Sequence, residues 1–316
     1  MRIFVTGASG FVGGAATQKL VSLGHDVRAM SRSGGSDAKI KALGAAPVRC
    51  DLETIAPEHV GDAEIVLHCA AYVEAWGPRD AWYKGNVLGT RNVLAASTNA
   101  RRFIHIGTEA AIVHGQHIVD ADETYPLAPN SPFPYCATKA QAEQFVRDAR
   151  GIETIVLRPR FIWGPGDTTL LPIIETMAKS GGWMWVAGGR ARTSTTHIDN
   201  LVHAIALALK EGRSREAYFI LDDGERTMKE MISGMAAAKG FTLPDRSVPA
   251  WLADAIGAAG EAVWRTFNLK GAPPLTRHAA MVMGRDCVLN GSKARRELGY
   301  APQVGVEEGL RRLTQA

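Results

Sequence analysis

Along the first 160 residues, short apolar runs alternate with longer stretches whose apolar positions recur every three to four residues. Residues 2–6 (RIFVT), 25–30 (HDVRAM), 46–50 (APVRC), 64–70 (EIVLHCA), 102–106 (RFIHI) and 153–159 (ETIVLRP) read as strands buried on both faces. The segments between most of them carry a helical period. Strand and helix in alternation predict an α/β chain built on a doubly wound parallel sheet. After about residue 160 the rhythm loosens, and Gly, Pro and Trp gather in 161–172 and 180–195. Residues 195–212 then read as a strand end and a capped helix, in which His197 and Asp199 serve as cap or anchor, and 216–221 as another strand. The pattern predicts a sheet domain from 1–162 and 196–221, and a smaller lobe from 163–195 and 222–316.

Composition narrows the possibilities. The chain has 316 residues, 46% hydrophobic and 22% charged, enough to bury a full core as an ordinary globular protein. A formal charge of +4, spread out and broken only by short pairs such as Arg101-Arg102 and Arg295-Arg296, leaves no nucleic-acid footprint. No apolar run is long enough to span a bilayer, and the opening MRIFVTGASG enters a strand directly, so a cytoplasmic protein is expected. Cys50, Cys69, Cys136 and Cys287 are scattered, which points to free thiols and to neither disulfides nor a metal site.

Chemistry enters at VTGASGFVGG. Gly7, Gly10 and Gly13 follow a strand and open a helix, where backbone amides and the positive helix end can hold a pyrophosphate, as in a Rossmann fold. At the end of the second strand an NAD enzyme usually offers a carboxylate to the ribose. Here Ser31 and Arg32 stand there, and a hydroxyl with a guanidinium suits the 2′-phosphate of NADP better than NAD. Further on, Tyr135 and Lys139 lie four residues apart, on one face of a helix.

The ordered set TGASGFVG, CDL (50–52), LHCAA (67–71), NVLGTRNVL (86–94), HIGTEA (105–110), PYCATK (134–139) and LRPRFIWGPGD (157–167) resembles the extended short-chain dehydrogenase/reductase family. THIDN (196–200) and the closing 292–310 extend the likeness over nearly the whole chain. HIGTEA, LRPRFIWGPGD and PPLTRHAA (273–280) look most like its 3β-hydroxysteroid and sterol dehydrogenase branch. The resemblance implies that Tyr135 exchanges a proton with the substrate oxygen while hydride moves to or from a nicotinamide. Lys139 would lower the phenol's pKa and bind the nicotinamide ribose, Thr108 would orient the substrate oxygen, and Asn86 would join the hydrogen-bond network. It likewise places Ser9, Phe11, Val12, Asp51, Leu52, Cys69, Ala70, Ala71 and Pro159 at the cofactor. A homodimer formed through the helices of Asn86 and Tyr135 is implied too.

For the substrate, sugar-nucleotide enzymes of the family carry an asparagine where this chain has Phe161. Trp163, Trp183, Trp185, Trp251 and Trp264 lie beyond the catalytic helix, and the first three, with Phe161, are expected to line an aromatic cleft. A bulky lipophilic alcohol or ketone fits such a cleft. A sugar-nucleotide epimerase or dehydratase with bound NAD is the alternative, to which Arg160 and Arg192 could offer phosphate contacts, and a non-catalytic dinucleotide sensor is disfavoured by the retained Tyr and Lys. Residues 248–267 have apolar positions at helical spacing, suiting a lid, a membrane contact or, since a basic face is lacking, packing on the lobe.

Overall fold

A computed structural model of the chain describes residues 1–168 and 170–315. Strands β1 (Arg2–Thr6), β2 (Asp26–Ser31), β3 (Ala46–Arg49), β4 (Ile65–His68) and β5 (Arg102–Ile106) join Glu153–Pro159 and Glu216–Ile220 in one seven-stranded sheet. Every neighbouring pair is parallel, in the spatial order Glu216–Ile220, Glu153–Pro159, β5, β4, β1, β2, β3. The chain thus runs outward from β1 in one direction, then returns to β4 and runs outward in the other. That switch between β1 and β4 opens a crevice at the carboxyl ends of the strands. Each strand of the middle is apolar on both faces because helices cover both. On one face β1, β4 and β5 pack against α1 (Phe11–Ser22) and the helix Ile198–Ala208, and on the other against the Asn86 and Tyr135 helices.

His197 caps the helix Ile198–Ala208 through its ring nitrogen, which accepts from the Asp199 amide at 3.2 Å. The lobe is less separate than the sequence pattern implies. Its small sheet pairs Cys287–Leu289 with Ile118–Ala121, a strand supplied from inside the first 162 residues. Conversely, Ala294, Leu298 and Tyr300 pack into the core of the large sheet. Helix Ala250–Thr266 packs on Arg277–Gly284 through Ala253 and Gly257, where an added Cβ at Gly257 would sit 2.9 Å from the Arg277 nitrogen. Its other face is open: Trp251 and Phe267 are 70% and 69% exposed. No helix among the described residues is long and apolar enough to cross a membrane.

Candidate active site

The crevice at the switch point is a cleft of about 960 Å³. Its floor at one end is the turn between β1 and α1. Gly7 has φ +76°, and a Cβ there would lie 2.8 Å from the Ala70 nitrogen. One on Gly13 would lie 2.2 Å from the Gly7 oxygen. Glycine is therefore required for turn and helix to close on each other. Gly10 precedes α1 as its N-cap without a capping side chain, and the first turn of α1 holds no acidic residue, so its free amides and positive end face the cleft unneutralised. Ser9, Phe11 and Val12 line the same wall, with Asp51, Leu52, Cys69, Ala70, Ala71 and Pro159 around it. These features fit a dinucleotide, its pyrophosphate at the glycine turn.

At the end of β2 the structure separates two residues the sequence had paired. Arg32 lines the cleft, as does Ser36 in the first turn of α2 (Gly34–Ala42). Ser31 does not. It is buried, and its hydroxyl donates to the Ser33 carbonyl at 3.2 Å, because the last residue of a central strand faces the sheet's own neighbours. Asp51, below Arg32, accepts the amides of Glu53 and Thr54 at 2.9 and 2.8 Å. Those bonds, Thr54's foremost, hold its carboxyl below the usual range.

The opposite end of the cleft is built by the helix Pro134–Asp148 and the turn after β5. Tyr135 sits in the helix's first turn, half-buried, with its ring 5.9 Å from that of His278. Burial pushes its phenol above the ordinary value, the Glu109 carboxylate adds to this, and a hydrogen bond with Thr108 opposes it. The lowering expected from Lys139 is not among these influences. Lys139 lies beneath the cleft wall, 3% exposed, and its ammonium donates to the Ile106 carbonyl at 2.9 Å. Burial lowers its pKa to about 8. Thr108 caps the short helix Glu109–Ile112 by accepting from the Ala110 amide at 3.2 Å, and donates its own proton to Glu109 Oε2 at 2.7 Å. It lines the cleft beside Tyr135. Asn86 is close by but committed elsewhere: its amide clasps the backbone of Tyr72 at 2.7 and 3.1 Å and reaches Thr138 at 3.2 Å. It fixes the loop after β4 to the Tyr135 helix and touches neither Tyr135 nor Lys139.

Three tryptophans depart from expectation. Trp163, Trp183 and Trp185 do not line the cleft; they are buried in the lobe's own core, Trp163 donating to Asp222 at 2.8 Å and the other two meeting edge to face. A small lobe has few other large side chains to fill it. Phe161 alone of that set faces the cleft, at φ +45°. Glu109 and His278 join the site as well, and their only signal in the sequence is their place in HIGTEA and PPLTRHAA. Glu109 Oε1 accepts from Arg160 Nη1 at 2.6 Å, making a buried ion pair beside Tyr135, whereas Arg192 spends its charge at the surface on Glu225 and Asp286.

Residues 4–248 match the model of the 3-beta hydroxysteroid dehydrogenase/isomerase family. The chain belongs to that family. Among its relatives, a 4-hydroxy-2-methyl-3-oxo-4-farnesyl-3,4-dihydroquinoline-1-oxide ketoreductase of Stigmatella aurantiaca is 39% identical, over 100% of this chain and 96% of its own. A 2-alkyl-3-oxoalkanoate reductase of Stenotrophomonas maltophilia is 38% identical, over 99% and 98%. A decarboxylating sterol-4-alpha-carboxylate 3-dehydrogenase of Dictyostelium discoideum is 28% identical, over 98% of both. Of solved structures, gox2253 superimposes with a TM-score of 0.79 at 26% identity over 99% of this chain and 96% of that one. A dTDP-glucose 4,6-dehydratase of Streptomyces venezuelae with NAD bound shares the fold, with a TM-score of 0.77 at 23% identity over 100% and 96%. The protein is an enzyme of the extended short-chain dehydrogenase/reductase kind, an oxidoreductase on a Rossmann fold.

Proposed function

We propose that this enzyme is an NADP-dependent ketoreductase of lipophilic substrates. The observation that carries the reading is a half-buried tyrosine, with a threonine hydroxyl beside it, in the wall of a cleft whose far end is a glycine turn that fits a dinucleotide. When bound, the nicotinamide dinucleotide supplies the hydride. The chain's part is the proton. A phenol raised by burial and by Glu109 is neutral at physiological pH, so Tyr135 is set as a donor to the oxygen of an incoming ketone. Thr108 positions that oxygen when its hydroxyl proton turns from Glu109 to the substrate. Lys139, one turn along, is assigned the cofactor ribose and the tyrosinate left after transfer.

The substrate class follows from the lining and from the relatives. Around Tyr135 the walls are apolar, with Val113, Ile118, Met281 and Val282 on one side and Phe161, Ile162 and Leu170 on the other. The named substrates of the three relatives share a pattern. A 3-oxoalkanoate and a sterol-4-carboxylate reacting at carbon 3 place a carboxylate carbon two bonds from the reacting carbon, and a 3-oxoquinoline-1-oxide places its N-oxide nitrogen, with a formally negative oxygen, at the same spacing. We assign this enzyme the same class: a bulky lipophilic ketone with that spacing.

Two measurements test the reading. Tyr135→Phe should cut turnover of such a ketone by about a hundredfold or more while leaving cofactor affinity within a few fold, since only the proton donor is gone. Retained turnover overturns the assignment. NADPH should bind about ten- to a hundredfold more tightly than NADH, through Arg32 and the first turn of α2, and Arg32→Ala should erase that difference. An unaltered ratio would mean that NADP selection does not rest on Arg32. Protein that purifies with stoichiometric, tightly held NAD would favour the sugar-nucleotide alternative.

A further inference from the structure

Arg160 is 4% exposed, yet only part of its guanidinium is occupied. Nε donates to Thr193 Oγ1 at 3.0 Å and Nη1 to Glu109 Oε1 at 2.6 Å. Nη2 has no hydrogen-bond partner among the described residues. It also differs from the unpartnered Arg158 Nη1, which is sealed from solvent: Arg160 lines both the main cleft and the smaller apolar cavity that meets it at Tyr135. A buried cation with one unsatisfied nitrogen thus stands in the wall shared by the two cavities that meet at Tyr135. Its backbone is pinned as well, its amide donating to Thr196 Oγ1 at 3.0 Å. The Glu109 carboxylate fixes the distance to the chemistry, since one oxygen takes the Thr108 proton and the other the Arg160 proton. The hydroxyl beside Tyr135 and the guanidinium are therefore bridged by a single carboxylate, through one hydrogen bond at each end.

We infer that the free edge of Arg160 is the subsite for the substrate's anionic oxygen, two bonds from the carbonyl carbon whose oxygen meets Tyr135 and Thr108. This rests on the substrate class proposed above and assigns it to one side chain. A desolvated, preoriented guanidinium favours an anionic oxygen over the corresponding neutral ester, and its planar fork sets the carbonyl's place relative to the phenol. Glu109 holds the fork and tempers it: its own negative charge weakens the pull on a second anion. Glutamine removes that charge and strengthens the subsite: its amide oxygen still accepts from Arg160, while its NH2 donates to Thr108 Oγ1 in place of the bond it accepted.

The test compares 3-oxodecanoate with its methyl ester as paired substrates, NADPH being present throughout. The wild-type ratio of kcat/KM, acid over ester, is expected to exceed ten. Arg160→Met should reduce that ratio ten- to a hundredfold, and Glu109→Gln should raise it severalfold. A variant that merely perturbs the fold lowers both rates together and leaves the ratio in place, and no folding defect raises it. In parallel, decanoate binding to the NADP-loaded protein, read by tryptophan fluorescence, should weaken at least tenfold in Arg160→Met. Ketones reduced with a ratio that Arg160→Met does not move, or decanoate bound equally by both proteins, overturns the subsite. Arg160-dependent decanoate binding without turnover of either ketone supports the subsite and sinks the ketoreductase reading instead.

Discussion

At the scale of single residues, Lys139 joins burial most directly to a measurable quantity. Its ammonium is desolvated in the folded chain, with a pKa of about 8 against 10.5 for the free side chain. Between those two values the unfolded chain holds a proton that the folded chain has released, so folding becomes more favourable as pH rises through that window. Below about pH 8 both states are protonated and the burial penalty is complete. Wild-type stability, measured by urea unfolding relative to Lys139→Met, is therefore expected to improve on the order of 2 kcal/mol between pH 7.5 and 10. A flat difference would mean that water reaches the ammonium. The same scale shows what a sequence can reveal. Arg32, Thr108 and Tyr135 could be placed from their motifs because strand ends and first helical turns dictate where side chains point. Ser31 could not, since one residue decides whether a strand-end side chain faces the cleft or the sheet. The tryptophans misled because an aromatic residue is equally at home in a cleft and in a small core.

At the scale of elements, the Tyr135 helix is held to the sheet by charge as well as by apolar packing. Glu143 and Arg158, both fully buried, pair helix and strand: Nε donates to Glu143 Oε2 at 2.9 Å, and Nη2 donates to Oε1. The guanidinium also lies 5.3 Å from the centre of the Phe219 ring, on the neighbouring strand. A buried pair of this kind gains little over apolar packing, but breaking it leaves an uncompensated charge. Glu143→Leu alone should cost about 3–5 kcal/mol, and Glu143→Leu with Arg158→Met should recover most of that. Additive losses in the double variant would show that the two residues contribute independently. Because Glu143 also raises the Lys139 pKa, one turn away, the single variant should lower that pKa further. The helix itself was expected from the sequence through the spacing of Tyr135 and Lys139, and Pro134 stands in its first turn. The pair beneath it was not, because Glu143 and Arg158 are joined only by the sheet's closure.

At the scale of the whole molecule, the doubly wound parallel sheet was legible in the alternation of apolar runs and helices. The lobe's borders were not, since Ile118–Ala121 reaches its sheet partner Cys287–Leu289 only in three dimensions. On the outer face of the helices Gly89–Ala96 and Pro134–Asp148, Phe145 is 40% exposed, with the Arg91 guanidinium 4.9 Å from its ring centre. We propose that this face meets its own copy in a two-fold dimer. In an isologous interface a residue near the axis opposes itself, so a charge placed there confronts a like charge across the axis. Wild-type protein should therefore sediment as a dimer at micromolar concentration, and Phe145→Glu should weaken association a hundredfold or more. Phe145 is far in sequence from the glycine turn, so NADP affinity should stay within a few fold in the variant. Wild-type protein that sediments as a monomer would overturn the dimer, and a variant that still dimerises with undiminished affinity would place the interface on another face.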